Sequence, residues 1–493
     1  MISLVQKSFF FLVAITLCAL FGLMVPVLGP KFSLIFLAAF IGSAALFVKT
    51  EWLLFILCAL SLFVVGPLGY FGIVNLHWIP YIIGLLLYVK FTLEKFNAKS
   101  ADDGNVTNAI PFSGMNWAIF LFFSILIGST LIARPNSHVL LLSTRDYFLL
   151  WSVFFLLSSA KVTPSFFQNI LRLMVFAAVL QLPFALYQHF VVARGRHDTT
   201  SWDAVVGSFS GYQDGGGDSG GMAIFLLTVF AVALCLWRRK ITNGLRVCLI
   251  GAIALGTVLL AEVKIFYVLT PIVFVMVYRT ELLHSASVAL IGTSLISILF
   301  AIVFLTYDSE YDTQQYQSQK ALGDKIEDIF SYSTNANAYM SRSEVGRVTA
   351  LAIWWQGNEI SDPAVYIGHG MAATLSRQRI DERGGKIGER YGKLTIANST
   401  FAVLLWEAGI FGALAFCFIL ILALFQAIAI SRKEIVPTIN KAILDATPAV
   451  LAMYLVTLFY HKNAIGASSS GQLILLFFLG HVAYWARKTH FNP

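Results

Sequence analysis

Charged side chains are scarce in this sequence. Asp, Glu, Lys and Arg make up only 12% of the 493 residues, whereas 58% of the residues are hydrophobic. A soluble domain carries roughly twice that charged fraction, and a water-soluble fold of this composition could not cover its surface with polar groups. Apolar runs near the bilayer-spanning length of about 20 residues recur along nearly the whole chain. The composition therefore predicts a polytopic membrane protein.

Cysteine is also rare, and its distribution excludes two classes of site. The sequence contains no CxxC pair and no Cys/His cluster, so it has no metal-ligating cysteine pattern. No cysteine lies in the long polar stretches, which argues against a disulfide framework. We expect small, apolar packing roles for all five cysteines, which are Cys18, Cys58, Cys235, Cys248 and Cys417.

The sequence also lacks two patterns, a signal-peptide cleavage site near its start and a basic stripe that would bind nucleic acid. Lys7 precedes an apolar run to about Leu28 that is longer than a signal-peptide core, and no small-residue cleavage site follows. An uncleaved first span is therefore expected. The net charge is +8, but the cations lie mostly beside apolar runs and form no basic stripe with interleaved aromatics, so no nucleic-acid partner is expected.

The apolar runs predict an all-α transmembrane helical bundle with about 14 spans, 12 being the alternative count. We divide the chain into residues 1–306 with spans 1–11, a large loop at 307–410 that contains helices, and residues 411–493 with spans 12–14. The boundary near Glu262–Lys264 is the shortest connection. The predicted spans are 8–28, 32–48, 52–70, 77–93, 114–133, 144–160, 168–192, 221–237, 245–262, 265–279, 285–306, 411–431, 445–460 and 471–486.

Orientation follows from the asymmetric distribution of Lys and Arg among short loops. With 14 spans both termini lie on one side, and that side collects most of the cations, including Arg238, Arg239, Lys240, Arg432 and Lys433. The termini are therefore expected in the cytoplasm and the 307–410 loop outside it. A bacterial inner membrane is the expected location.

The large loop changes character along its length. It is acidic and rich in Gln, Ser, Tyr and Asn up to about Met340 and basic afterwards. Ser341–Glu344 forms a capping-box signature, and the following segment VGRVTALAIWWQG has helical spacing that places Arg347 and Trp354 on one face. Tryptophans at such a helix end, like Trp406 further on, are expected to be interface anchors. After the turn at 368–370, a second helix should begin at a cap.

That second helix has two candidate caps, Asn398 and Ser399, both of which are good N-cap residues. We expect the helix to run to a turn at Gly409–Gly412 and then to enter the next span. No inverted repeat relates the halves of the chain, and such repeats are typical of transporters.

Three segments carry a resemblance to a known family. They are VVGSFSGYQDGGGDSGGMAIFLL (205–227), GRVTALAIWWQGNEISDPAVYIGHGMAA (346–373) and NSTFAVLLWEAGIFGALAF (398–416). In this order, the sequence resembles the O-antigen ligase and polysaccharide polymerase superfamily of bacterial envelopes. Ligases of that family typically open the return helix with a histidine, whereas Asn398 stands here. A serine–x–arginine between two spans is replaced by Glu262–Val263–Lys264.

The resemblance implies transfer of a glycan from a polyprenyl diphosphate on the outer face of the membrane. Arginine and lysine suit the diphosphate leaving group, and the acceptor hydroxyl needs a base. No Asp-x-Asp motif is present in the loop, so no cofactor and no metal are expected. The expected diphosphate-binding residues are Lys264, Arg342, Arg347, Arg145, Arg194 and Arg196. The expected catalytic residues are His369, Arg347, Glu407 and Asn398.

Each of these residues also has a structural interpretation, and the sequence leaves both open. Lys264 could pair with Glu262 or anchor at the interface, and Arg145 could form an ion pair with Asp146. The remaining alternatives are a solvated helix face for Arg347, an incidental loop position for His369, a structural acid for Glu407, a helix cap for Asn398, and ordinary loop cations for Arg194 and Arg196.

Polymerisation of lipid-linked repeats is the favoured function, because Asn398 departs from the ligase pattern. Ligase-type transfer to a lipid or protein acceptor is the alternative within the same class. A polysaccharide or lipid transporter or flippase, and a non-catalytic member of an assembly complex, are the rivals outside it. The expected partners are the lipid-linked glycan, membrane lipid and other polysaccharide-assembly proteins.

Overall fold

A computed structural model defines the positions of most of the chain. It describes residues 45–101, 114–159, 162–193, 204–213, 215–285, 345–375, 384–392, 396–466 and 468–491, together with positions 42, 287, 290, 292, 294 and 394. Within this described part the regular structure is helical, and the only extended pairing is one isolated bridge between Gly211 and Gly217. The predicted all-α class is confirmed for these residues.

Fifteen helices, numbered α1 to α15 along the described chain, build the bundle. The first nine are α1 Thr50–Tyr70, α2 Ile79–Ala101, α3 Gly114–Ala133, α4 Ser137–Ser158, α5 Pro164–Val192, α6 Ser219–Arg238, α7 Gly244–Leu260, α8 Ile265–Val277 and α9 Arg279–His284. The other six are α10 Arg347–Gln356, α11 Pro363–Ile367, α12 Lys386–Tyr391, α13 Thr400–Ser431, α14 Thr438–Thr457 and α15 Ser469–Phe491.

Nine helices among the described residues are long and apolar enough to cross a membrane. They belong to α1 through α6 and α13 through α15, and each overlaps one predicted span. The predicted spans 245–262 and 265–279 are the shorter apolar helices α7 and α8, of 17 and 13 residues. The predicted spans 8–28, 32–48 and 285–306 lie almost entirely outside the described residues.

One helix begins earlier than its apolar run suggested, because a polar side chain caps it. The Asn136 side chain accepts hydrogen bonds from the amides of His138 and Val139, so α4 starts at Ser137 rather than at the predicted residue 144. Arg145 therefore lies inside a helix and not at its outer start. It opens a π-helical stretch, Arg145–Leu149.

The helix that follows the large loop has the predicted cap and the predicted break. The Ser399 hydroxyl accepts from the amide of Ala402, which identifies Ser399 and not Asn398 as the cap. The helix continues to Ser431, but Gly409 interrupts it with φ 67° and ψ −172°. This conformation is accessible essentially to glycine alone, so α13 consists of two helical segments that meet at Gly409, where the turn was predicted to begin.

Three helices occupy the centre of the described bundle. Every residue of an 18-residue window of α15 is buried, and most residues of comparable windows in α6 and α14 are buried as well. Large apolar side chains on peripheral helices remain exposed, among them Trp117 on α3 and Phe425 on α13. A bilayer would cover such faces, since lipid tails are as apolar as leucine.

The helices alternate in direction, which gives the bundle two ends. We call the end where α6, α13 and α15 begin the loop end. There the amide of Phe401 donates to the carbonyl of Leu458 (2.8 Å), which joins the start of α13 to the end of α14. We call the opposite end, where α6, α8 and α13 finish, the basic end. Arg239 there forms an ion pair with Asp445 of α14.

Candidate functional site

The connection between α14 and α15, residues 458–466, is the feature around which polar side chains gather at the loop end. Arg347, the first residue of α10, lies on one side of it. The Arg347 Nε donates to the carbonyl of Tyr460 (2.8 Å), and its guanidinium carbon lies 4.0 Å from the centre of the Tyr460 ring. A cation fixed by a hydrogen bond and an aromatic face keeps its position. The guanidinium of Arg347 is therefore held in place.

His461 follows Tyr460 and faces a buried acid. Its Nε2 lies 3.7 Å from Oδ1 of Asp218, the residue that caps α6 and accepts from the amide of Gly221 (2.9 Å). Burial raises the pKa of the Asp218 carboxyl, and the nearby imidazole only partly offsets this effect. The amide and the hydroxyl of Thr400 both donate to the carbonyl of His461 (3.1 and 3.0 Å). The backbone of His461 and the start of α13 are thus joined.

A glycine allows His461 to approach α6 so closely. A Cβ atom on Gly220 would lie 2.8 Å from Cδ2 of the imidazole, a distance that real Cβ contacts do not show. The sequence GDSGG therefore supplies both the capping acid at Asp218 and the space for the ring. This arrangement places Arg347, His461 and Asp218 along one short segment of the connection.

The far side of the same connection carries a second charged group. Asp146 packs against Gly466, whose Cβ position would lie 3.1 Å from the Asp146 side chain, and Lys462 acts on it electrostatically. The Arg145 Nε donates to Asp146 Oδ1 (2.7 Å), so the ion pair considered from the sequence is present. The Arg145 guanidinium also lies 4.7 Å from the Trp78 ring centre and 5.2 Å from that of Tyr81.

The π-helical turn in α4 presents its side chains to two different neighbours. Asp146 lies against Gly466 of the connection 458–466, while Tyr147 is buried and its hydroxyl donates to Oε2 of Glu407 (2.7 Å). Single π-helical turns inside α-helices frequently occur at functional sites. Here the turn links the charged group at the connection to the kinked helix α13.

Glu407 has the geometry of a structural acid. It is 2% exposed, and besides Tyr147 its carboxylate accepts from the hydroxyl and the amide of Thr374 (2.5 and 3.3 Å). Its backbone carbonyl accepts from the amide of Gly370 and from the hydroxyl of Ser129. These bonds hold the loop segment 368–374, α3 and α4 against α13, so the structural alternative is favoured over a catalytic role for Glu407.

His369 lies in the predicted glycine turn, close to the kink of α13. Its amide donates to the carbonyl of Trp406 (2.8 Å), and its Nε2 lies 3.2 Å from Oδ1 of Asn358. Burial lowers the pKa of the half-buried imidazole, and Asp362 opposes this effect. Neutral imidazole can accept a proton, so His369 suits the role of a base. The candidate cation Arg347, however, contacts the connection 458–466 and not this turn.

The separation of His369 from Arg347 follows from α10. Arg347 begins this ten-residue helix, whereas His369 contacts Asn358 just beyond its other end. At 1.5 Å per residue the helix is about 15 Å long. The two side chains are therefore not positioned to act on the same bond, whereas His461 directly follows Tyr460, the residue that Arg347 contacts.

The remaining candidates are scattered. The Asn398 side chain donates to the carbonyl of Val345, which ties the start of α10 to the start of α13. Lys264 is exposed on a different turn, between α7 and α8. Arg194, Arg196 and Arg342 lie outside the described residues, as does the capping box at 341–344.

The prediction that the tryptophans are interface anchors is wrong for two of them. Trp354 and Trp406 are buried, at 5% and 0% exposure, and Trp354 Nε1 donates to the carbonyl of Leu405 (3.1 Å). Only Trp355, at 62% exposure, faces outwards among these three. The apolar environment that favours tryptophan is here the protein itself, because the loop segment covers α13.

Three residues of the cluster were not expected from the sequence: Asp218, His461 and Lys462. Asp218 carries a local signal, since an acid followed by serine and glycine before an apolar run is a typical N-cap. His461 and Lys462 are adjacent at the end of a span, and the count of loop charges passed over them. Their proximity to Asp218 and Asp146 has no local sequence signal.

Comparison with known proteins gives no relative to guide the assignment. No protein-family model matches the chain, and no curated protein matches it significantly. The function must therefore be argued from the cluster around residues 458–466.

Proposed function

We propose that this protein is an extracytoplasmic glycosyltransferase that polymerises polyprenyl-diphosphate-linked oligosaccharide repeats of an exopolysaccharide, capsule or O-antigen. The observation that carries the proposal is the convergence of Arg347, His461 and Asp218 on one short connection at an end of the helical bundle. A cation, a histidine and a buried acid together supply what such a transfer needs. The sequence resemblance to polysaccharide polymerases points in the same direction.

The proposed step is a substitution at the anomeric carbon of the lipid-linked sugar. An acceptor hydroxyl oxygen forms the new bond to that carbon, while the bond from the carbon to the phosphate oxygen breaks. The electron pair leaves on the diphosphate, where the positive charge of Arg347 stabilises it. The proton of the hydroxyl passes to His461, and the Asp218 carboxylate stabilises the imidazolium that forms.

The location of the cluster supports enzyme chemistry over transport. Secondary transporters bind their substrates near the middle of the bilayer, between repeated halves. Arg347 and His461 instead lie where α10 and α13 begin and where α14 has ended. A polyprenyl diphosphate holds its phosphates at that level when its chain lies in the bilayer. We therefore prefer an enzyme to a flippase.

Polymerase is preferred to ligase because Asn398 does not have the chemistry of a histidine. Its amide donates to the carbonyl of Val345, which gives it a positioning role at the junction of α10 and α13. Ligase-type transfer to a lipid or protein acceptor is the second candidate, since His461 lies against the same helix start through Thr400. The two candidates differ in their acceptor and not in the leaving group.

The decisive experiment uses the purified chain in liposomes with a polyprenyl-diphosphate oligosaccharide. Products longer than one repeat support the polymerase, and transfer to an added lipid or protein acceptor supports the ligase. A folded protein that gives neither product while moving the labelled lipid between leaflets overturns the proposal in favour of a flippase. A folded protein with no effect on the lipid also overturns it.

The orientation is tested separately in cells. A cysteine replacing the exposed Val348 of α10 should react with a membrane-impermeant maleimide added to intact spheroplasts. A cysteine replacing the exposed Ile435 at the basic end should react only after lysis. The opposite pattern would place the cluster in the cytosol and overturn the proposal.

A further inference from the structure

Four arginines meet at the basic end, from three different helix ends. Arg238 closes α6 and Arg239 follows it, Arg279 opens α9, and Arg432 follows α13. We call these four residues the arginine cluster. Two carboxylates lie among them: the Nε of Arg239 is 2.6 Å from Asp445, and the Nε of Arg238 is 2.5 Å from Glu281. Four positive charges therefore face two negative ones.

Two members of the cluster form no ion pair with a carboxylate of the described residues. Within the part of the chain that the structure describes, no carboxylate lies at ion-pair distance from Arg279 or Arg432. Arg279 Nη1 donates instead to the carbonyls of Met276 (2.7 Å) and Asp445 (3.4 Å). Burial lowers the pKa of Arg279, and the neighbouring cations Arg238 and Arg432 add to this effect, while the Asp445 carboxylate opposes it. The cluster thus holds more positive charge than its carboxylates balance.

The ends of the helices explain part of this arrangement but not all of it. Helix C-termini attract cations, and Arg238 Nη1 accordingly donates to the carbonyl of Val277 at the end of α8 (2.8 Å). The carbonyls at the helix ends do not bind all the guanidinium N–H groups of the arginine cluster. The Nη groups of Arg239 and the guanidinium of Arg432 make no hydrogen bond to any described residue. The donors left over can donate hydrogen bonds to an external anion.

Apolar side chains adjoin the cluster and indicate where that anion would come from. Trp237 precedes the arginines of α6 and is 45% exposed, and Leu245, near the start of α7, is 68% exposed. Ile435, three residues after Arg432, is 47% exposed. Tryptophan and exposed aliphatic side chains beside cations are typical of the interfacial level of a membrane. A free anion would gain nothing from these side chains, whereas a lipid would also contact them with its acyl chain.

We propose that the arginine cluster binds the phosphate of an anionic lipid headgroup, with Arg239, Arg279 and Arg432 as its donors. Guanidinium forks match the geometry of phosphate oxygens, and basic pockets between transmembrane helices bind such headgroups. The excess of two positive charges suits a headgroup with one or two phosphates. This binding would hold α6, α9 and α13 together at the basic end. It is independent of the proposed glycosyl transfer.

Lipid binding by the purified full-length protein tests this proposal. Native mass spectrometry should show retained phosphatidylglycerol or cardiolipin, and either lipid should raise the Tm of the detergent-solubilised protein above that in phosphatidylcholine. The double variant Arg279→Gln/Arg432→Gln should bind the anionic lipids about tenfold more weakly, the effect of about 1.4 kcal/mol. Arg432→Gln alone should show part of this loss, and it removes no bond to another described residue.

The control variant is Arg172→Gln, since Arg172 is an exposed arginine of α5 whose described hydrogen bond is to Asn169 alone. It should bind lipid like the parent protein. Equal stabilisation by phosphatidylcholine, or unchanged lipid binding in the folded double variant, would overturn the proposal. Stabilisation by inorganic phosphate equal to that by the anionic lipids would replace the lipid by a soluble anion and would overturn it as well.

Discussion

The guanidinium of Arg347 lies over the ring of Tyr460, 4.0 Å from its centre, and its Nε bonds to the carbonyl of the same residue. These two residues are 113 positions apart. The contact attaches the start of α10 to the connection between α14 and α15, which also contains His461. A loop segment and the membrane helices therefore jointly build the candidate site.

Replacement of Arg347 should reduce transfer without unfolding the protein. Arg347→Gln removes the charge that would stabilise the departing diphosphate, and we expect the initial rate to fall about 100-fold or more. Arg347→Lys keeps the charge but loses the planar fork, so an intermediate rate is expected. The measurement is polymer formation by the reconstituted protein, with Tm as the check on folding. Arg390→Gln, at an exposed arginine of α12, should keep the parent rate. A parent-like rate in Arg347→Gln would contradict the assignment.

His461 and Asp218 should behave as a unit in a double-mutant cycle. His461→Gln removes the proton acceptor, and we expect the turnover rate to fall by about two orders of magnitude or more. Asp218→Asn should slow turnover less, and the double variant should be little worse than His461→Gln because the acid acts through the imidazole. The pH–rate profile of His461→Gln should also lose its acidic limb. His284→Gln, at an exposed histidine of the basic end, is the control. Strictly additive losses with an unchanged pH profile would assign the pair a structural role.

Glu407 should contribute much more to stability than the hydroxyl of Tyr147, one of its two hydroxyl donors. Glu407→Ala leaves the buried groups of Tyr147 and Thr374 without their acceptor, and we expect a loss of about 3 kcal/mol or more in the free energy of unfolding. Tyr147→Phe removes one hydrogen bond and should cost about 1 kcal/mol. Thermal unfolding in detergent measures both. Thr92→Ala removes a hydroxyl that bonds only within its own helix and should have little effect. Parent-like stability of Glu407→Ala with lost activity would instead favour a catalytic role.

The fold was more predictable than the site, for a physical reason. Apolar runs determine where membrane helices form, so each of the nine membrane-length helices among the described residues overlaps a predicted span. The starts of α4 and α13 depend on the side chains of Asn136 and Ser399, which cap them. Of these two caps, Ser399 was anticipated as one of two choices, whereas Asn136 was missed because it precedes a weakly apolar stretch. The π-helical turn at Arg145–Leu149 has no known pattern in the sequence.

The site depends on contacts between distant segments, which a single sequence does not encode visibly. Tyr147 and Glu407 are 260 positions apart, and Asp218 and His461 belong to different helix ends. Residue types indicated that Arg347 could bind an anion, but not which histidine would lie beside it. The tryptophans show the same limit, because an apolar helix face gives no sign of whether lipid or protein will cover it.

The stability of the protein should decrease in mild acid because of His369. Its pKa is lowered by burial, so the unfolded chain binds a proton at this residue more readily than the folded one. The contribution is fully present above the ordinary histidine pKa of about 6.5 and is lost as the pH falls through the lowered value. Between pH 8 and pH 5, the Tm of His369→Asn should therefore fall less than the Tm of the parent protein. His138→Asn, at an exposed histidine, should follow the parent. An equal loss in His369→Asn would contradict this assignment.

Gly409 should tolerate no side chain, because its backbone conformation and its surroundings both require glycine. Its φ of 67° with ψ −172° is strained for any L-residue, and a Cβ would lie 2.4 Å from the backbone of Tyr366. Gly409→Ala should therefore lower the free energy of unfolding by about 3 kcal/mol or more and displace the turn that contains His369.

Gly128→Ala is the matched control, since nothing lies within 4 Å of its Cβ position in α3. Alanine there should be neutral or stabilising by about 0.5 to 1 kcal/mol. Thermal unfolding of both variants, with parallel transfer assays, measures the difference. Parent-like stability of Gly409→Ala would mean that α13 can straighten at the kink and that the contact between α11 and α13 does not depend on it.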